Sequence, residues 1–506
     1  MSIAERWSAM QGRRNAALDR ARAAAELTIP SLVPPEGHTE FSELPQPFQS
    51  LGARGVNNLS SKLLLTLMPP SVPFFRYRPA ADVSASLSDE ERTGADRELQ
   101  RYEDALAASM EEGNLRSTVH GALLSLVVAG NTLLYTPKNG ENRAFSLEKY
   151  CVARTASGRV TEMVIKEVVD PTTLDPKVRA ACQCGDEHLP ANDGVKTVEV
   201  FTRVVLDTAS GSPKHVWSQE INALPVPDSD GNAPEATSPW MPLRWKAIAG
   251  EDYGRGHVEE YLGDLRSLDG INEAILGFAA ASAKVVFLVA PNSTLDADEL
   301  QNAESGDVLV GNEADVTVLQ IDKFNDFQAA KAIQDGLELR ISHAFLLSSG
   351  TIRNAERVTA EEVRLQAQEL EDVLGGVYAV LSQELQLPLV RRIEYIQTEA
   401  GNLPKLDSDA VQPVIITGLE ALGRGHELQR FRDYLSDAVT LFGDEALRYV
   451  ETEAGMHRLA TMYNVDVQDL LRTAAEVAED AQSELAASLM QQAAGPVAGQ
   501  LAQAPQ

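Results

Sequence analysis

Residues Val258 to Phe278, VEEYLGDLRSLDGINEAILGF, and Phe327 to Leu347, FQAAKAIQDGLELRISHAFLL, decide the fold. In the first, Val258, Tyr261, Leu265, Leu268, Ile271, Ile275 and Phe278 recur at helical spacing and mark one apolar stripe over about six turns. Glu259, Glu260, Asp264, Asp269 and Glu273 occupy the other faces. In the second, Phe327, Ala330, Ile333, Leu337, Ile341, Ala344 and Leu347 repeat the pattern. Between them lie two β-like patches, Val285 to Val289 and Val308 to Ile321, the latter alternating at Val316 and Val318. The order is helix, small β insertion, helix.

Towards the N-terminus the texture is mixed. The first 28 residues, rich in alanine and arginine, read as a helix ended by Pro30 and the Pro34-Pro35 pair. Phe48 to Met68, with Leu59, Leu63 and Leu67 four apart, and Ser88 to Glu112, closed by Gly113-Asn114, read as two more. Leu115 to Tyr135 is apolar and predicted to be buried. Val160 to Val169, Lys196 to Leu206 and His215 to Ile221 read as strands, with surface loops over Asp170 to Gly194 and Pro225 to Pro242, the latter centred on Asp228-Ser229-Asp230-Gly231. The fold class is therefore α+β, mainly α.

Towards the C-terminus, Ser348 to Arg357 is polar and aperiodic and reads as a mobile loop. Thr359 and Glu362 form a capping box that opens a long helix. Its apolar residues Val363, Ala367, Leu370, Leu374, Val377, Leu381 and Leu385 make a seam, weakened at Gly375-Gly376 and kinked at Pro388. Beyond Pro413 a helical region rich in alanine and charge reaches about Met490, and Gln491 to Gln506 is expected to be disordered.

The 506 residues are 44% hydrophobic, enough for sizeable cores, and carry 44 Lys and Arg against 74 Asp and Glu, a net charge of −30. That balance excludes a general charge-driven grip on nucleic acid, since such affinity comes from cations displacing counterions from phosphates. Three cysteines, Cys151, Cys182 and Cys184, form no disulfide framework and suit a reducing compartment, here the cytosol. Proline interrupts Leu63 to Phe75 and Lys284 interrupts Ala274 to Ala290, so neither is an unbroken membrane span, and no apolar signal segment follows Met1. The expectation is a soluble protein that stays where it is made.

Catalytic signatures are missing. The chain has no phosphate-cradling GxxxxGK[ST], no GxSxG, HExxH or GxGxxG, and no EF-hand loop. No catalytic residue, metal ligand or cofactor is assigned. Cys182 and Cys184 with Asp186, Glu187 and His188 have donors for zinc but lack paired CxxC knuckles, and a polar surface loop is the plainer reading. The adjacent acids Glu259-Glu260 and Glu361-Glu362 point to different helix faces and read as solvated. Gly254-Arg255-Gly256 and Gly423-Arg424-Gly425 resemble nucleic-acid RGG elements but, next to helices, read as turns or caps. His426 beside Glu427 reads as a solvated or satisfied histidine. Arg353 and Arg357 differ, sitting among small polar residues with no apolar stripe to pack on, so a contact outside the subunit stands beside a simple Arg357 to Glu361 pair at i+4.

Specific strings then add a resemblance over nearly the whole chain up to about residue 430. They are Thr28–Leu32 (TIPSL), Leu51–Leu59 (LGARGVNNL), Val127–Asn131 (VVAGN), Tyr253–Gly256 (YGRG) and Glu260–Leu268 (EYLGDLRSL), followed by Glu356–Glu362 (ERVTAEE), Leu374–Tyr378 (LGGVY), Leu381–Val390 (LSQELQLPLV) and Thr417–Gly425 (TGLEALGRG). In these the sequence resembles the head-to-tail connector, or portal, proteins of short-tailed bacteriophages. The resemblance implies a non-enzymatic ring, usually of twelve copies, at one capsid vertex of the virion, assembled in the host cytoplasm. Its implied partners are further copies of itself, double-stranded DNA passing through the channel, the terminase large subunit, a tail adaptor protein, and the major capsid, scaffold and internal core proteins, with no membrane.

The family order implies a wing over residues 1–255, a first stem helix over 256–283, a clip over 284–323, a second stem helix over 324–347 and a tunnel loop over 348–358. A long kinked helix over 359–400, a helical crown over 401–490 and a disordered tail over 491–506 complete it. Ser348, Ser349, Arg353, Asn354 and Arg357 become the candidate DNA-channel residues. A replication-type clamp would show repeats, which this chain lacks. Another DNA-encircling or capsid structural protein, or an enzyme with an unrecognised acid pair, are the alternatives.

Overall fold

The computed structural model describes residues 1–39, 41–69, 73–80, 83, 88–184, 197–209, 211–282, 286–291, 296–310, 312, 314, 316–319, 324–347, 374–407, 410–416, 424–443 and 455–456. Two compact units result, one holding the described residues up to 416 and the other the described residues from 424 onward. About half of the described residues are helical, in a mixed α+β arrangement.

Helix α1 (Ile3–Glu26) opens on a capping box between Ser2 and Glu5. Ile3, Trp7 and Met10 pack on Cys151, Val164 and Phe201 of a sheet, whereas Ala17, Leu18, Ala21, Ala24 and Ala25 enter the main core. Helix α2 (Leu51–Leu67) buries Val56, Leu59, Leu63 and Leu67 in that core. Strand β1 (Phe75–Pro79) follows, then α3 (Asp89–Glu111), closed by Gly113 at φ +79°. The apolar stretch from Leu115 divides into α4 (Leu115–Ala129) and β2 (Asn131–Tyr135), with Gly130 at φ +71° making the turn.

Strands β3 (Arg143–Phe145), β4 (Tyr150–Arg154) and β5 (Val160–Val169) come next, then a short helix α5 (Pro176–Ala181) and strands β6 (Val198–Asp207), β7 (Lys214–Ile221), β8 (Leu224–Pro225), β9 (Gly231–Pro234) and β10 (Trp240–Arg244). One sheet runs β4-β5-β6-β7-β8 with β9 on β7, all antiparallel, and a second runs β10-β2-β3. The segment expected as a surface loop over Pro225 to Pro242 thus holds two strands. The turn signals are real, with Asp228 at φ +57°, but they return the chain onto β7, and β10, buried at every residue, completes the second sheet. The other expected loop, from Asp170, contains α5, capped by Asp175.

After α6 (His257–Glu260) the helix α7 (Leu262–Ser282) runs out to β11 (Val286–Val289), a short helix α8 (Ala297–Asn302) and β12 (Val316–Leu319), and α9 (Phe324–Ala344) returns. β11 and β12 pair antiparallel, so the helix–hairpin–helix order holds, but Asp307 to Val310 lies outside any strand. Residues 374–399 form α10, interrupted by a π-turn at Ser382–Gln386. The buried positions Leu381, Leu385, Leu389 and Ile393 step by four three times, and each such step overshoots an α-helical turn by about 40°. One wider turn absorbs the drift and frees the backbone just ahead of Pro388, which lacks an N–H.

The described residues between 401 and 416, within the segment expected to be helical crown, are not helical. Strand β13 (Val411–Ile415) pairs with β1 instead. The Tyr77 N–H donates to Glu103 Oε1 at 2.7 Å, leaving Tyr77 and Pro413 as a pair without mutual backbone bonds, the register that suits a proline. In the second unit, α11 (Arg424–Phe442) is the described helix longer than a turn.

Candidate functional site at the foot of the helix pair

The two long helices enter the body at a closely packed foot. At the end of α9, Leu346 turns left-handed at φ +55° and Leu347 N–H donates to Ser342 O at 2.8 Å. The carbonyls left over there find side chains from α2. Asn58 Nδ2 donates to Phe345 O at 3.0 Å, and Lys62 Nζ donates to Leu346 O at 2.8 Å, placing a cation at the negative end of the helix dipole. From α6, His257 Nε2 donates to Ala344 O at 2.9 Å. Burial is the main reason the His257 pKa lies below its ordinary value, so the ring is neutral. Phe345 fills the centre, edge-on to His257 with centroids 5.1 Å apart. A Cβ on Gly55 would stand 2.6 Å from the Phe345 ring, so only glycine lets α2 approach this closely.

On the other side, Gly130 and Asn131 meet Gly254, Arg255 and Gly256. Asn131 Nδ2 donates to Gly254 O at 2.9 Å and its Oδ1 accepts from Gly254 N at 2.7 Å. Any Cβ at Gly130 would collide with the backbone between Arg255 and Gly256, and one at Gly256 would lie 2.6 Å from Val128 O. Arg255 is held by Glu251 at 3.1 Å and Glu259 at 2.8 Å. Gly254-Arg255-Gly256 is therefore a turn leading into α6, as expected, and Glu259 and Glu260 do face apart, Glu260 pairing with Lys246.

A third contact locks α10. Glu384, on the π-turn, accepts from Arg244 N and Nε, each at 2.9 Å, and Arg154 stands 3.7 Å away. Both arginines are almost wholly buried, and desolvation is the main reason Arg154 lies below its usual pKa. Gln386 Nε2 donates to Leu67 O at 2.8 Å, and Tyr378 Oη bonds Thr66 Oγ1 at 3.0 Å. These residues were invisible to sequence reasoning because the partners lie far apart along the chain, 140 residues for Arg244 and Glu384 and 284 for Lys62 and Leu346. The foot nevertheless explains several of the strings that carry the resemblance, since LGARGVNNL, VVAGN, YGRG and LSQELQLPLV supply its contacts.

Of the residues singled out from the sequence, Ser348, Ser349, Arg353, Asn354 and Arg357 lie outside the described residues, as do Glu361, Glu362, His188 and Gly423. The helix α11 carries His426 and Glu427. Cys182 and Cys184 are not on a polar surface loop. They are buried with Val200 and Ile221, and burial raises both thiol pKa values. Cys151 is buried too, and its thiol is pushed up to about 11. No group of three or more metal-ligating side chains occurs among the described residues, and no described helix is long and apolar enough to cross a membrane.

The family described as bacteriophage head to tail connecting protein matches residues 1–471. The chain is 38% identical over 494 residues to the portal protein of Escherichia phage T7, spanning 96% of this chain and 90% of that protein. It is 37% identical over 465 residues to the portal protein of Enterobacteria phage T3, spanning 91% and 86%. Among solved structures, a chain of the neck of an empty gene transfer agent particle aligns over 83% of this chain and 90% of its own length, with a TM-score of 0.39 and 10% identity.

Proposed function

Because the chain belongs to the bacteriophage head-to-tail connecting protein family, whose members are structural rather than enzymatic and sit at the portal vertex of the virion, we propose that its copies close into a ring, twelve in the capsid. The axial channel of that ring would carry double-stranded DNA inward during packaging and outward during ejection. The observation that carries this reading is the helix–hairpin–helix unit, firmly seated at its foot but apolar and uncovered further out. Leu276 and Ile333 are 56% and 58% exposed, and Phe287 and Leu288 on the hairpin 54% and 48%. Repeated head-to-tail contacts that close by rotation would cover them.

In this reading the described residues up to 255 form the wing, α6, α7 and α9 the stem, and β11 to β12 the clip, which meets the terminase large subunit and later a tail adaptor protein. Capsid, scaffold and internal core proteins contact the remainder. The crown starts near Leu419, after β13, rather than at 401. The net charge of −30 keeps the duplex from sticking, because even six to ten phosphate contacts would make binding strong and salt-dependent.

Residues 348–358 form the tunnel loop, with Ser348, Ser349, Arg353, Asn354 and Arg357 as its sparse contacts to the sliding backbone. Native mass and axial images test the ring. A uniform species near twelve or thirteen times 54.8 kDa with an open hole supports it, and a monodisperse monomer at every salt concentration refutes it. Replacing Arg353 and Arg357 by alanine should preserve the ring and alter packaging or retention of DNA in vitro. Unchanged packaging would remove them from the channel.

A further inference from the structure

Most exposed cations of the first unit are neutralised. Lys138 pairs with Glu399, Arg143 with Glu167, Arg159 with Glu235, Lys246 with Glu260 and Lys331 with Asp335. Around β13 the pattern reverses. Arg76 and Arg78 of β1, Arg391 of α10 and Lys405 form no ion pair among the described residues. Other cations without an ion partner, such as Arg54, Lys177 and Arg266, lie on separate elements, α2, α5 and α7.

The four are brought together by the sheet. Arg76 lies opposite Val414 and Arg78 opposite Gln412, and residues directly opposite in an antiparallel pair share a face. Gln412 in turn lines a half-open cavity of about 520 Å³ together with Arg391 and Lys405. Of the two acids in that cavity, Glu399 is neutralised by Lys138 at 3.0 Å, whereas Glu394, which accepts from the neutral Tyr102 hydroxyl at 3.2 Å, keeps its charge. The four cations still outnumber Glu394, which leaves a net positive face on a chain whose net charge is −30.

We propose that this face, Arg76 and Arg78 with Gln412, Arg391 and Lys405, is a contact surface for the phosphate backbone of duplex DNA lying outside the channel. A protein partner would need a desolvated apolar centre, and Val414, 38% exposed, is the one large apolar side chain on the outward side of these two strands. Arginine, lysine and glutamine side chains on an open surface are the groups that meet phosphates. At about 0.1 M salt, charges more than about 10 Å apart are largely screened, so the acidic remainder of the chain does not cancel the patch. With so few contacts the binding is weak and salt-labile, which leaves the duplex free to be repacked. The proposal rests on the reading of the chain as a ring that handles DNA.

The test uses the assembled full-length protein and two duplexes, one linear and one covalently closed circle, which cannot thread a preformed ring. Binding is followed from about 50 to 200 mM salt. The wild type should bind circles, and the variant carrying Arg76→Ser and Arg78→Ser should bind them less, with about a tenfold smaller loss over that salt range because two phosphate contacts are gone. A second variant, Arg78→Gln with Lys405→Gln, alters only exposed side chains and should act in the same direction if the first fails to fold. Circles bound equally by wild type and variants, no circle binding at about 50 mM salt, or variant-sensitive binding of poly-glutamate without DNA binding would each overturn the proposal. Failure of the native mass to show a ring would instead overturn the reading beneath it.

Discussion

The near and far halves of the helix pair carry the same kind of apolar stripe and are covered to different degrees. Near the foot, Leu265, Leu268 and Ile341 are fully buried against the body, and Leu337 nearly so. Further out, Ile271, Ile275 and Phe278 of the same stripe are only half-buried, and Ile333, with Leu276 beside the stripe, is more than half exposed. The foot is completed by its own chain, through Gly55, Asn58, Lys62 and His257. In the outer half the described residues give little cover beyond the packing of the two helices on each other, as where Phe278 meets Phe327. An apolar stripe on a helix therefore states that something will cover it, and only the packing tells whether that cover is intramolecular.

Three variants sharpen this contrast. The largest effect is expected at the foot, from Glu384→Ala, which leaves the buried Arg244 and Arg154 facing each other without a counter-charge. It should cost about 3–5 kcal/mol in denaturant unfolding, because a buried pair broken on one side strands the other charge. A cost comparable to that of a surface ion pair would show that solvent reaches the foot.

A smaller effect is expected from His257→Gln. The folded-state pKa of His257 lies below its unfolded value, so the unfolded chain binds the extra proton first, and stability falls as pH drops below about 6.5. Glutamine keeps a donor for Ala344 O but cannot titrate, so the variant should lose less stability than the wild type between neutral and mildly acidic pH. His215, also depressed by burial and bonded to Ser238 Oγ at 2.7 Å, leaves a residual slope of the same sign. Identical pH profiles for variant and wild type would place the titration elsewhere.

The smallest effect on the protomer is expected in the outer half. Leu276→Ser with Ile333→Ser should change unfolding by no more than about 0.5 kcal/mol per site, as surface substitutions do. The same pair should nevertheless lower the native mass from ring to protomer. A large loss of protomer stability would mean that these side chains are covered within the chain, and the comparison would fail.

Much of the fold was legible. Val160 to Val169 is a strand over the expected span, and the helix–hairpin–helix unit lies where its two stripes placed it, because periodicity over many residues is a strong local signal. Short elements escaped for the same reason. Gly231 to Pro234, Trp240 to Arg244 and Val411 to Ile415 are each too short for a period and contain or adjoin turn residues, and they became strands only because β7, β2 and β1 offered unpaired edges. The π-turn was hidden behind Pro388, which announces a break without saying which turn widens. Sequence reasoning singled out Arg353 and Arg357 by their polar surroundings, and these lie outside the described residues. It missed Asn58, Lys62, Arg244, His257 and Glu384, whose roles are fixed by distant partners.

By itself the sequence determined the element types, the acidic balance and the strings that place the chain in its family, since each is local or additive along the chain. Only the tertiary structure decided which glycines are obligatory and which carboxylate is buried between two arginines. It alone showed which half of a continuous apolar stripe is only partly covered and which four cations stand without an ion pair beside β13. Those properties depend on what comes within a few ångströms, and in a folded chain that is set by residues far away in the sequence.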